Sequence, residues 1–175
     1  MTTVEQPFNV LFLCTGNSAR SIIAEAILNK VGGGRFRAYS AGSMPTGRVN
    51  PLALELLASK GFPTDGLCSK SWDDFAIPGA PFMHFVFTVC GQAGAEVCPV
   101  WPDKPMTAQW GIPDPAAAKG TDEARWRAFN DAFITLHRRI TLFVALPLDK
   151  LKDFALRTQL NAIGGDAKDM TRAVQ

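Results

Sequence analysis

Charge of one sign is the first thing this 175-residue sequence lacks. Eighteen Lys and Arg stand against sixteen Asp and Glu, a formal net charge of +2. That balance excludes a nucleic-acid binder resting on bulk electrostatics. No uninterrupted apolar stretch approaches the length of about 18 residues that suggests a bilayer span. The opening residues, Met1-Thr2-Thr3-Val4-Glu5-Gln6, carry no basic region ahead of an apolar run. Neither a membrane partner nor a secretory signal is therefore expected, and the reducing cytosol is the expected compartment. Four cysteines are far too few for a disulfide scaffold, so each position must be read separately. Tyrosine occurs once, at Tyr39, and the two histidines, His84 and His137, are too isolated to suggest metal ligands. What is abundant is apolar material, 47% of the chain. A chain of this length should bury roughly two-thirds of its unfolded surface, without help from metal or disulfide. One domain over 1–175 is expected, with its core at about 8–164, and a monomer satisfies it.

The pattern along the chain alternates strand and helix. Phe8 to Cys14 (FNVLFLC) is a short, nearly continuous apolar run suited to a strand buried on both faces. Small residues follow, and from Ala19 the spacing of Ile23, Ala26 and Ile27 predicts a helix that Gly32-Gly33-Gly34 ends. Phe36 to Ser40 is a second strand. Asn50 and Pro51 open a second helix to about Lys60, and Ser71 to Phe75 starts a short one. Phe82 to Val89 is the strongest strand signal, and Met106 to Ile112 a weaker one. Thr121 to Leu146 reads as one long helix with an apolar stripe from Trp126 to Phe143, and Pro147 stops it. A last helix is expected from about Asp149 to Ile163, closed by Gly164-Gly165, with a frayed tail beyond. Met44, Trp101, Trp110 and the stripe read as packing. This order predicts an α/β fold of three layers, α/β/α, around a mostly four-stranded parallel sheet.

Cys14-Thr15-Gly16-Asn17-Ser18-Ala19-Arg20-Ser21 joins the first strand to the first helix. Small residues there can turn successive N–H groups into one hollow, and the helix terminus adds partial positive charge. A thiolate of Cys14 at the mouth should be stabilised, lowering its pKa below the free value of about 8.5. Arg20 can reach back with a planar guanidinium suited to two oxygens of an oxyanion, and Ser21 can donate to the thiolate. No Gly-Lys-Ser/Thr follows, which excludes a Walker-type loop, and a dinucleotide fingerprint is also missing. The plain alternative is a buried strand-end cysteine followed by a solvated arginine. Cys90 ends the strongest strand, and Cys98 follows after GQAGAEV. Their spacing is wider than a usual zinc pair, while two inert core cysteines remain an open reading. Cys68 has no such context and reads as incidental.

Cys-x5-Arg-Ser directly after VLFL resembles the oxyanion loop of the low-molecular-weight protein tyrosine phosphatase fold. Within that fold the chain resembles the thiol-dependent arsenate reductases, through CTGNSARSIIAEAIL, YSAGS, VNPLALELL, SKSWDDF, FVFTVC, EVCPVWP, WGIPDPAA and LFVALPLDKL. The resemblance implies that Thr15, Gly16, Asn17, Ser18, Ala19 and Arg20 bind the anion, arsenate or its phosphate and sulfate analogues. It makes Cys14 the nucleophile and Asp114, stiffened by Pro115, the general acid. It further implies a relay in which Cys90 attacks Cys14, releasing arsenite, and Cys98 then takes over the disulfide. No tightly bound cofactor is implied. A potassium ion at Asn17, Glu25, Ser40 and Asp73 is, together with an external thiol reductant. An internal resolving pair favours thioredoxin over glutaredoxin and glutathione.

Phosphatases of this fold usually place aromatic residues after the Asp-Pro pair, whereas Ala116-Ala117-Ala118 stand here. A small oxyanion is thus favoured over a phosphotyrosine peptide. The alternatives are a phosphatase-like phosphomonoester hydrolase and a non-catalytic oxyanion-binding or redox-sensing protein. Two departures from related reductases stand out: Gly91 follows Cys90 in place of an acidic residue, and Gln109-Trp110 occupies a segment that often holds His.

Overall fold

The computed structural model describes residues 6–90 and 104–172, with side chains through 165. Its centre is a parallel sheet of β1 (Phe8–Cys14), β2 (Phe36–Gly42), β3 (Phe85–Thr88) and β4 (Met106–Gln109), ordered β2-β1-β3-β4. Four helices complete the α/β fold: α1 (Arg20–Val31), α2 (Pro51–Ser59), α3 (Asp122–Val144) and α4 (Asp153–Arg172). Short 3-10 helices lie at Trp72–Phe75 and Pro115–Ala117.

β1 explains its own continuous hydrophobicity. Val10, Phe12 and Cys14 join the larger core cluster, which includes residues from all four helices. Leu11 and Leu13 point to the other face and pack with Ala41, Phe75, Met83 and Val86. With both faces covered, period-two alternation in polarity has no reason to exist. An aromatic group fixes the larger core: Phe87 stacks on Trp110 with centroids 4.1 Å apart, and Phe143 meets Phe87 edge-on at 5.1 Å.

Chain order places the switch in direction between β1 and β3, and ligand sites of such sheets lie outside the carboxyl ends there. Cys14 ends β1. Cys90 lies two residues beyond β3, carried across by the Val89 N–H donating to Leu13 O at 2.9 Å.

Several boundaries follow the expected chemistry. Asn50 caps α2 by accepting from Leu52 N with Pro51 in the first turn, and Thr121 caps α3 through Ala124 N. β3 is shorter than expected because residues 82–84 lie before the start of its pairing with β1, leaving Phe82 exposed. The C-terminus differs more. Gly164-Gly165 does not end the last helix; α4 starts at Asp153 and runs through both glycines to Arg172. Gly164 is a contact residue: a Cβ there would sit 2.4 Å from Gln109 O and 2.8 Å from Trp110 Cδ1. Its missing side chain lets α4 approach the end of β4. Met44 is also not packed, being 72% exposed, because it stands on the loop after β2. Trp101 lies outside the described residues.

Candidate active site

The loop after β1 is held from behind. Cys14 O accepts from Ser43 N, Thr15 O from Met44 N, Gly16 O from Thr46 N and Ser69 Oγ, and Ser18 O from Asn50 N. With the carbonyls tied to the scaffold, the amides of Gly16 to Arg20 remain without hydrogen-bond partners among the described residues. The α1 N-terminus, capped by Ala19, has no side-chain cap either, so its first amides keep their donors. This is a donor-lined loop that an oxyanion can satisfy.

Asn17 bends the loop by taking φ +46°, a region that costs an ordinary residue strain. Its buried side chain holds the bend at both ends, accepting from Lys70 N on Oδ1 and donating from Nδ2 to Ser21 Oγ, each at 2.8 Å. Ser21 thus anchors Asn17; among the described residues it forms no hydrogen bond to Cys14, contrary to the expected donation. Gly42, at the end of β2, makes room for the bend. A Cβ there would lie 2.4 Å from Thr15 O and 3.0 Å from Asn17 N.

Cys14 and Cys90 are both buried and unbridged, and the Cys90 thiol stands near enough to act on that of Cys14. Thr15 Oγ1 stands 3.5 Å from Cys90 Sγ. The expected lowering of the Cys14 pKa is overturned in this arrangement. The Cys90 thiol, and then burial, push it upward, because a second proton-sharing sulfur and a dry site both disfavour the anion. Arg20 and the Thr15 amide pull the other way and are outweighed.

Arg20 links the loop to the segment after β4. Its Nη1 donates to Ile112 O at 3.1 Å, and its Nη2 lies 3.7 Å from Asp114 Oδ2. Its buried Nε has no partner among the described residues. Asp114 Oδ1 accepts from Ala116 N at 3.0 Å and so caps the 3-10 helix Pro115–Ala117. The carboxylate remains 42% exposed, and Ala116 and Ala117 are exposed beside it.

Of the expected cation ligands, Asn17, Glu25 and Ser40 are buried and Asp73 is exposed. Burial raises Glu25 to about 7, against the smaller opposing pull of Lys70 and of the Ser40 amide and hydroxyl. Among the described residues Glu25 Oε2 and Ser40 Oγ lack a well-formed hydrogen bond, so two buried oxygens fit a cation. Asn17 Oδ1 is already engaged by Lys70, and Asp73 belongs to the exposed turn. Cys98 lies outside the described residues. Cys68 is exposed.

The low molecular weight phosphotyrosine protein phosphatase family model matches residues 9–150. The chain belongs to that family. Its relatives within the family include the arsenate reductase of Halalkalibacterium halodurans, 38% identical over 134 residues, covering 77% of this chain and 93% of that protein. The arsenate reductase of Bacillus subtilis strain 168 is 37% identical over 120 residues, covering 69% and 83%. Among solved structures, the Corynebacterium glutamicum thioredoxin-dependent arsenate reductase is similar with a TM-score of 0.55 at 27% identity, over 81% of this chain and 65% of that one. The Archaeoglobus fulgidus arsenate reductase gives 0.57 at 26% identity, over 75% and 98%.

Sequence reasoning overlooked two residues that brace neighbouring backbone, Gly42 against the loop and Arg139 against residues 110–111. Gly42 was legible only as the end of a strand. Arg139 is 3% exposed within α3. Its position between Leu136 and Phe143, three and four residues away on the apolar stripe, was the available signal.

Proposed function

We infer that this chain reduces arsenate to arsenite, with electrons taken from its own thiols. The observation that carries the reading is the nearness of the Cys14 and Cys90 thiols beside a loop whose amides have no partner among the described residues. A hydrolase needs one thiol there; a reductase needs a second within reach of the first.

The loop amides and Arg20 hold the oxyanion, and the Cys14 thiolate attacks arsenic. The departing hydroxide takes a proton from Asp114 and leaves as water. Cys90, as thiolate, then attacks Cys14 Sγ. The arsenic–sulfur bond breaks with its electron pair on arsenic, giving arsenite and a Cys14–Cys90 disulfide. Cys98 attacks Cys90, returning Cys14 as a thiol and leaving a Cys90–Cys98 disulfide. An external dithiol protein of the thioredoxin type reduces that bond. Such chemistry belongs in a reducing compartment, the cytosol, where the thiols start unpaired.

A monovalent cation such as potassium completes the proposal. Glu25 and Ser40 would hold it, and its charge would favour ionised Glu25. The run of alanines after Pro115 supports a small oxyanion over an aromatic ester, since it builds no wall for a ring.

The test is a single turnover. Fully reduced protein is mixed with stoichiometric arsenate without oxygen, then arsenite and thiol pairing are measured. One arsenite per chain with a 90–98 disulfide is expected. Intact thiols, no arsenite and brisk aryl-phosphate hydrolysis overturn the reading in favour of a phosphatase. Cys98→Ser should complete one turnover and trap the Cys14–Cys90 bond; repeated turnover with a dithiol protein overturns the final relay step.

A further inference from the structure

α3 buries a charge that the proposed reaction does not use. Arg139 Nη1 donates to Trp110 O at 2.6 Å and stands 3.5 Å from Gly111 O. Among the described residues no carboxylate pairs with it, and its Nε is buried without a partner. Burial, and then the Arg138 charge, disfavour its charged form, although a guanidinium keeps its proton in proteins. Leu136, Ile140 and Phe143 fill the same face. A Leu or Met at 139 would cover the core without the desolvation cost of a buried charge. What only the arginine supplies is a grip on backbone carbonyls.

Those carbonyls belong to the segment that delivers Asp114. Trp110 N donates to Thr88 O, and Ile112 N to Val89 O. Trp110 Nε1 donates to Leu160 O in α4. Arg139 holds the carbonyls of residues 110 and 111, and Arg20 takes the next one, Ile112 O, together with the Asp114 carboxylate. Two arginines thus grip three successive carbonyls, one from the core and one from the oxyanion loop.

We propose that Arg139 is a positioning residue, whose hold on Trp110 and Gly111 sets Asp114 over the oxyanion loop. This rests on the reading of Asp114 as the general acid. Among the described residues Arg139 hydrogen-bonds only backbone carbonyls. A misplacement of about 1 Å in a proton donor can cost on the order of 100-fold in rate.

The experiment is a double-mutant cycle on the full chain. Arg139→Met and Arg139→Lys are each made alone and in an Asp114→Asn background. Single-turnover arsenite formation, inorganic phosphate binding and melting temperature are measured for every variant. Arg139→Met should slow arsenite formation roughly 10- to 100-fold, while phosphate affinity stays within about twofold. Arg139→Lys, which keeps a donor, should recover part of the rate. In the Asp114→Asn background either substitution should cost less than about twofold, because the acid is already gone.

Equal losses in both backgrounds overturn the proposal and leave Arg139 as a core residue. So does a fall in phosphate affinity that matches the fall in rate. If Arg139→Met does not fold, the Lys variant carries the same cycle, and additive losses there are equally decisive. If Asp114→Asn alone costs nothing, the acid reading falls and this proposal falls with it, which separates that failure from additivity.

Discussion

In the 14–20 loop the backbone carbonyls are caught by other backbone amides and one serine hydroxyl, whereas in the 110–112 segment they are caught by two guanidinium groups. The first arrangement draws on adjacent segments, residues 43–50 and Ser69. The second depends on side chains reaching from α1 and α3. Amide backing persists through most side-chain substitutions, since every residue except proline brings the donor. Guanidinium backing is lost with a single side chain. The Cys14 loop is therefore built into the chain's path, while the backing of the 110–112 segment hangs on two particular side chains. Arg20 belongs to both regions.

Replacing that shared residue should have the largest effect. Arg20→Lys keeps the charge but cannot span Ile112 O, Asp114 and an oxyanion with one planar group. Arsenite formation is expected to fall roughly 100- to 1000-fold, with weakened phosphate binding, in a single-turnover assay. A loss below tenfold means that the loop amides alone bind and orient the anion.

The loop can be sharpened by removing its sulfur neighbour. Cys90 is the largest cause of the raised Cys14 pKa, so Cys90→Ala should shift the thiol downward and expose the pull of Arg20 and Thr15. About tenfold faster alkylation of Cys14 at neutral pH is expected, read from its pH profile. An unchanged profile means that burial dominates.

Glu25 should affect turnover least and pH-dependent stability most visibly. Its folded value of about 7 lies above the ordinary 4.5, so folding takes up a proton between those values. Its contribution is most favourable below 4.5 and is lost as pH rises through 7. Glu25→Gln removes that loss, and denaturant unfolding at pH 8 should show it more stable by up to about 3 kcal/mol. At pH 4.5 the two should converge. Added potassium should narrow the gap at pH 8 if the cation site is used.

Much of the site was legible before any coordinates. β1 and its loop were readable because a doubly buried strand must be apolar throughout, and because a loop of small residues before a helix has few other uses. Asn50 with Pro51 and Thr121 marked helix starts, since capping chemistry is local. Gly164 was misread for a matching reason. Glycine after an apolar stripe signals a stop, but here it answers the approach of Gln109 and Trp110, residues more than fifty positions away. Ser21 was expected to donate to the thiolate; its Oγ also accepts from Asn17 Nδ2, and Asn17 takes a positive φ in the bend of the loop.

Legible in the sequence alone were the α/β order, the thiol and arginine of the loop, an Asp-Pro pair after a strand, and the scarcity of cysteine. These depend on periodicity, capping and residue chemistry, which operate over a few neighbours. Tertiary packing sets which groups meet: Cys14 with Cys90, Arg20 with Asp114, Arg139 with the backbone of 110–111. It also reversed the expected direction of the Cys14 pKa. The physical reason is that desolvation and hydrogen bonding are set by what stands a few ångströms away in space, and the sheet brings those groups together from distant parts of the chain.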